Sequence, residues 1–88
     1  MAHTLSSQKR IRQNEKKRAL NRWRLRGMRS AIKDFHQKLT HGSADEAKEA
    51  FRQCVRIIDR TAQKGVIHKN QAARRKSRLN ARLKAKAA

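Results

Sequence analysis

The chain has 88 residues with 25 Lys and Arg against six Asp and Glu, a formal net charge of +19, and only one Cys, no Pro, no Tyr and three aromatic side chains. A chain this short holds one domain with a thin core, its lone cysteine excludes an internal disulfide and fits a reducing compartment, and no apolar run approaches the roughly 20 residues of a membrane span. Without the apolar stretch of a secretory signal, a cytoplasmic protein is expected, and self-repulsion of this size calls for a polyanionic partner, nucleic acid first.

The absence of Pro and the abundance of Ala, Arg, Lys, Leu and Gln favour helix throughout. Ser6 or Ser7 is expected to cap a first helix running to about Thr40, where His41-Gly42 breaks the pattern. Its apolar stripe reads Leu20, Trp23, Gly27, Met28, Ala31, Ile32, Phe35 and Leu39, at helical spacings of three and four. Ser43-Ala44-Asp45-Glu46 has the form of a capping box, opening a second helix over 44–63. There the stripe is Ala47, Ala50, Phe51, Cys54, Val55, Ile58 and Ala62. Gly65 stands where a left-handed C-terminal cap is expected. Val66-Ile67 is a short connector, and a third helix follows from near Lys69 with Ala72, Ala73, Leu79 and Leu83 on its apolar side. Residues 84–88 are expected to fray.

The fold class is therefore all-α, a three-helix bundle. Its core is expected from Leu20, Met28, Ile32, Phe35 and Leu39, then Phe51, Cys54, Val55 and Ile58, then Leu79 and Leu83. Length adds a second expectation. The second helix should span about 30 Å and the first about 50 Å, so a helix folded back at Gly42 covers only residues 21–40 or so. A single domain then divides into a basic arm (1–19), the bundle (20–83) and the tail (84–88). The arm carries Lys9, Arg10, Arg12, Lys16, Lys17 and Arg18, with little to bury. Unpacked and self-repelling, it should fray in free solution.

Charge placement says most about function. Residues 1–33 hold eleven basic and one acidic residue, 34–63 hold five of each, and 64–88 hold nine basic and no acidic residue. Arg18, Arg22, Arg26 and Arg29 recur in steps of three and four, making one guanidinium stripe that Lys9, Arg12 and Lys16 extend. Arg74, Arg75, Lys76 and Arg78 form a second cluster. A merely soluble surface mixes both signs, whereas an acid-free Arg-rich face suits phosphate, whose oxygens a planar guanidinium can bond in pairs. With so few aromatics, recognition should rest on backbone and shape rather than base stacking; composition leaves DNA and RNA both open. Trp23 is expected in the core more than against a base, and Leu25, off the stripe, to face a ligand or neighbour.

Nothing points to catalysis. Cys54 lies on an apolar face beside Phe51 and Ile58 and reads as a small core residue. His3, His36, His41 and His68 have no zinc-ligand spacing with it, and the three glycines form no phosphate loop. No metal, cofactor or small-molecule substrate is expected, and no membrane partner, since the apolar stripes have partners within the chain.

The stretch Asp59 to Leu79, DRTAQKGVIHKNQAARRKSRL, closely resembles the signature of the bacterial small-subunit ribosomal protein twenty family, above all in Lys64-Gly65-x-Ile67-His68-Lys69-Asn70-x-Ala72-Ala73-Arg74. Ser7-Gln8-Lys9-Arg10, Gln13 to Arg18, Asn21 and Arg29-Ser30 extend the likeness over nearly the whole chain. The resemblance implies a monomer within the ribosome that binds small-subunit ribosomal RNA directly and early in assembly. It implies contacts with the 5′ domain and with the long penultimate stem of the 3′ minor domain. By motif, Lys9, Arg10, Lys16, Lys17 and Arg18 map to the RNA-contacting arm, and Lys64, His68, Lys69, Asn70, Arg74 and Lys76 to a second contact at the start of the third helix. Trp23 and Leu25 depart from the family pattern, which has small or polar residues there.

Overall fold

The computed structural model describes residues 5–87, which form three helices: α1 (Leu5–His41), α2 (Ala44–Gln63) and α3 (Lys69–Ala87). His3 and Ala88 lie outside the described residues. Ser6 and Ser7 are themselves helical residues of α1, so neither holds its N-cap position.

The turns follow the sequence closely. Gly42 donates its N–H to the Lys38 carbonyl at 2.9 Å, and a Cβ there would stand 2.9 Å from that same oxygen and 2.7 Å from the Glu46 carboxylate. Crowding, not backbone freedom, calls for glycine. Ser43 is the N-cap of α2, its hydroxyl accepting from the Glu46 N–H at 3.2 Å. At the other end Gly65 takes φ +76°. Its N–H bonds the Ala62 carbonyl at 2.9 Å while the Val66 N–H bonds that of Thr61 at 3.1 Å. That pair of bonds is a Schellman closure, which needs the left-handed residue glycine supplies.

α2 packs antiparallel along α1, and α3 returns along α2, touching α1 sparingly. Met28 and Phe35 of α1, Ala47, Ala50, Cys54 and Ile58 of α2, Ile67 of the connector, and Ala72 and Leu79 of α3 are buried. Ile32, Leu39, Phe51 and Leu83 are half-buried against this core, as expected. The Phe35 and Phe51 rings meet at 5.8 Å and 51°, a tilted arrangement that aromatic quadrupoles favour.

Several expected core residues fall elsewhere. Leu20 is 48% exposed and Trp23 is 68% exposed. At about 100° per residue, Trp23 stands roughly 140° around α1 from Met28, whereas Leu25 stands about 60° from it. Leu25 is accordingly half-buried against the core and does not face outward. Leu20 fails for a second reason. The Cys54 thiol donates to the Ala31 carbonyl at 2.9 Å, which sets these residues level; counting antiparallel from them, Leu20 is level with Gly65, past the end of α2. Val55 stands about 100° from Cys54 and is half-buried outside the core cluster, while Ile57, about 60° from Cys54 on the other side, packs against it. Ala73 is exposed beside buried Ala72 for the same angular reason.

α3 continues to Ala87, and the Lys86 ammonium donates to the Leu39 carbonyl at 2.7 Å, placing a cation on one of the last, otherwise unpaired carbonyls of α1. The arm is continuous with the bundled part of α1. Every residue from Gln8 to Trp23 is exposed, and the molecule extends 64 × 22 × 14 Å.

Candidate nucleic-acid interface

The α1 cations stand clear of the bundle. Lys9, Arg10, Arg12, Lys16, Lys17, Arg18, Arg22, Arg26 and Arg29 are all exposed. Arg18, Arg22, Arg26 and Arg29 lie roughly 80–160° around the helix from Met28, so they share one outward face. Two ion pairs form among the described residues, Arg52–Glu49 at 3.6 Å and Lys76–Asp59 at 2.7 Å. The cations of the arm are thus left to solvent or ligand. Asp34 and Lys38, at favourable helical spacing, form no ion pair.

The second cluster is shaped by the turn before α3. Lys64, His68, Lys69, Asn70, Arg74 and Arg78 are exposed; Arg75 and Lys76 are half-buried. His68 holds the N-cap position of α3. Its Nδ1 accepts from the Asn70 N–H at 3.1 Å, and its carbonyl accepts the Ala72 N–H at 3.1 Å. Accepting at Nδ1 leaves Nε2–H as an outward donor. One of the amides at this helix start is therefore closed by His68; the remaining positive end of the dipole adds to Lys69. Sequence reasoning missed the capping role because histidine is not among the favoured caps; its place just before Lys69 was the available signal. Lys76 differs from its neighbours, since Asp59 already holds its charge. Arg75 buries its Nε without a partner.

The root of the arm and the start of α3 come to one end of the bundle. At the opposite end, Arg82 Nη1 lies 3.1 Å from His36 Nε2 and Lys86 reaches Leu39, so α3 runs alongside α1 in the same direction. Counting back from these contacts, Lys69 and Asn70 are level with residues 23–24 of α1, near the root of the arm. Beside that root, α1 and α2 enclose a groove of about 530 Å³ edged by Trp23, Arg24, Arg26, Arg60 and Lys64.

Neither nucleophilic nor metal chemistry is supported among the described residues. Burial, and secondarily the charge of Asp34, pushes the Cys54 thiol up to about 11, opposite to the depression an active thiolate needs. No group of three His, Cys, Asp or Glu side chains is placed to hold a metal ion. No helix among these residues is long and apolar enough to cross a membrane.

The chain is similar to known proteins over nearly its whole length. The family model described as Ribosomal protein S20 matches residues 2–84. Small ribosomal subunit protein bS20 of Methylococcus capsulatus is 49% identical over 85 residues, 97% of this chain and 92% of the relative. That of Teredinibacter turnerae is 47% identical over 88 residues, spanning both chains completely. That of Aquifex aeolicus is 46% identical over 79 residues, 90% of this chain and 84% of the relative.

Proposed function

The chain belongs to the ribosomal protein S20 family, and from that premise we propose that it binds the RNA of the small ribosomal subunit directly and supports assembly of that subunit. It is a structural, non-enzymatic constituent of the small subunit. The finer reading rests on one observation: two acid-poor cationic elements, separated in sequence by the neutral stretch 34–63, meet at one end of the bundle. The arm supplies Lys9, Arg10, Arg12, Lys16, Lys17 and Arg18, with Arg22, Arg26 and Arg29 at its root. The turn and α3 supply Lys64, His68, Lys69, Asn70, Arg74, Arg75 and Arg78, with Lys76 secondary because of its pair to Asp59.

The mechanism is electrostatic clamping. RNA helices that converge repel one another; a rigid spacer carrying cations on two sides neutralises both and fixes their separation. The 5′ domain and the long penultimate stem are the segments we assign to the two elements. Residues 1–19 form the arm and 20–83 the bundle that aims it. The arm lacks tertiary packing, so its helix is completed on binding. Far-UV circular dichroism, corrected for the RNA signal, should gain helicity on adding 5′-domain RNA, and an unchanged corrected spectrum would refute coupled folding.

Salt titration against 5′-domain RNA and an unrelated structured RNA of equal length tests the whole reading. Both should show steep slopes, each neutralised phosphate adding about −0.7 to −0.9. The ribosomal RNA should keep a large affinity advantage at physiological salt. Equal collapse of both would reduce the chain to a generic polyanion binder.

A further inference from the structure

The groove at the root of the arm has features the clamp does not use. Trp23 is 68% exposed, and it lines the groove as its one aromatic residue. Four residues on, Gly27 lies in the interior of α1, where glycine destabilises a helix relative to alanine. Neither backbone nor packing demands it: its φ is not positive, and a Cβ would meet nothing within 4 Å. The space it leaves is part of the groove, backed from α2 by Ile57 and Thr61. The volume, about 530 Å³, falls in the range of roughly 300–1,000 Å³ typical of small-molecule sites. Arg24, Arg26, Arg60 and Lys64 stand around it, and no carboxylate lines it.

A flat apolar wall beside an acid-free cationic rim matches one chemistry, an aromatic ring that carries phosphates. We propose that the groove receives one unpaired nucleotide of the bound RNA, its base stacked on the Trp23 indole over the gap at Gly27 and its phosphates on the rim cations. The nucleotide must be unpaired because a base within a duplex has both faces already stacked. An acidic peptide would satisfy the rim but not the bare ring, and an apolar helix would bury the rim cations unpaired. The assignment rests on the RNA-binding reading above and adds a stacking contact to it.

Trp23 is the only Trp and the chain has no Tyr, so the intrinsic fluorescence of the full chain reports this ring alone. Titration with 5′-domain RNA should quench it. Trp23→Ala should weaken binding by about 5- to 150-fold, the range for losing one stacked base, with the salt slope unchanged because no cation is removed. Trp23→Phe should recover most of the loss. Gly27→Leu should fill the gap and weaken binding similarly while raising the melting temperature, which separates a blocked site from a damaged fold. Lys69→Ala with Arg74→Ala is the control, expected to flatten the slope. Unquenched fluorescence with RNA bound, or wild-type affinity in Trp23→Ala while the control is impaired, would overturn the stacking site alone. Failure of the wild-type chain to prefer ribosomal RNA would overturn the parent reading.

Discussion

Replacing Asp59 with Asn should strengthen RNA binding. Lys76 Nζ lies 2.7 Å from Asp59 Oδ1, and the two side chains are 35% and 52% exposed. Exposed pairs of this kind contribute at most about 1 kcal/mol to folding, so the substitution should barely change stability. It releases one cation into the cluster around α3. If that cation reaches a phosphate, the log–log salt slope steepens by about 0.7–0.9, which is roughly five- to eightfold in affinity per decade of salt. Lys76→Ala removes a charge that is already partnered and should cost little. Lys69→Ala with Arg74→Ala removes two unpartnered cations and should flatten the slope by about 1.4–1.8, or roughly 25- to 60-fold per decade. Fluorescence anisotropy of labelled 5′-domain RNA over about 0.1–0.5 M KCl measures all of these. An unchanged slope in Asp59→Asn, or a Lys76→Ala loss equal to that of Lys69→Ala, would refute the ranking of cations by their partners.

Phe35 is fully buried and Phe51 only half-buried, so in urea melts Phe35→Ala should lose about 3–5 kcal/mol and Phe51→Ala distinctly less. Cys54, pushed up to about 11, should react slowly with thiol reagents in the native state and quickly when unfolded. The unfolded thiol ionises first, near pH 9. Relative to Cys54→Ala, stability should therefore be full below that pH and fall as pH rises toward about 11, by roughly 2–3 kcal/mol at most. Among the glycines, Gly42→Ala should lower the melting temperature because its Cβ would stand 2.9 Å from the Lys38 carbonyl. Gly27→Ala, meeting nothing, should raise stability by about 1 kcal/mol.

What the sequence announced best was punctuation. Ser43, Gly42 and Gly65 act within a few residues of themselves, so local chemistry sufficed. Phase was harder. Leu20, Trp23 and Gly27 continue the spacing of three and four, yet they drift around α1 from the Met28–Phe35 line; residue type suggested a stripe that angle does not sustain. The same drift promoted Val55 over Ile57. The Lys76–Asp59 pair joins two helices across a turn, and the Lys86–Leu39 contact spans about half the chain. Neither has a local signal, so Lys76 looked as free as Arg74. The cationic elements themselves were legible because like charges must be exposed; that they meet at one end required the directions of α2 and α3.

The charges that bind also burden the free fold. Of the 37 residues of α1, only Met28 and Phe35 are buried, so packing holds its second half while the first half contributes mainly repulsion. Added salt screens that repulsion, over a Debye length of about 8–10 Å near physiological strength. The same salt weakens the driving force of counterion release in the complex. One set of side chains thus makes two responses of opposite sign. Between low salt and about 0.3 M KCl, the melting temperature of the free protein should rise while its affinity for RNA falls. Saturating RNA at 100 times Kd should add about 2.7 kcal/mol of stability, and that increment should shrink as salt rises at fixed RNA concentration. A free chain whose melting temperature falls on adding KCl would show that core packing, not self-repulsion, sets its stability, and the arm's cations would then be energetically separate from the bundle.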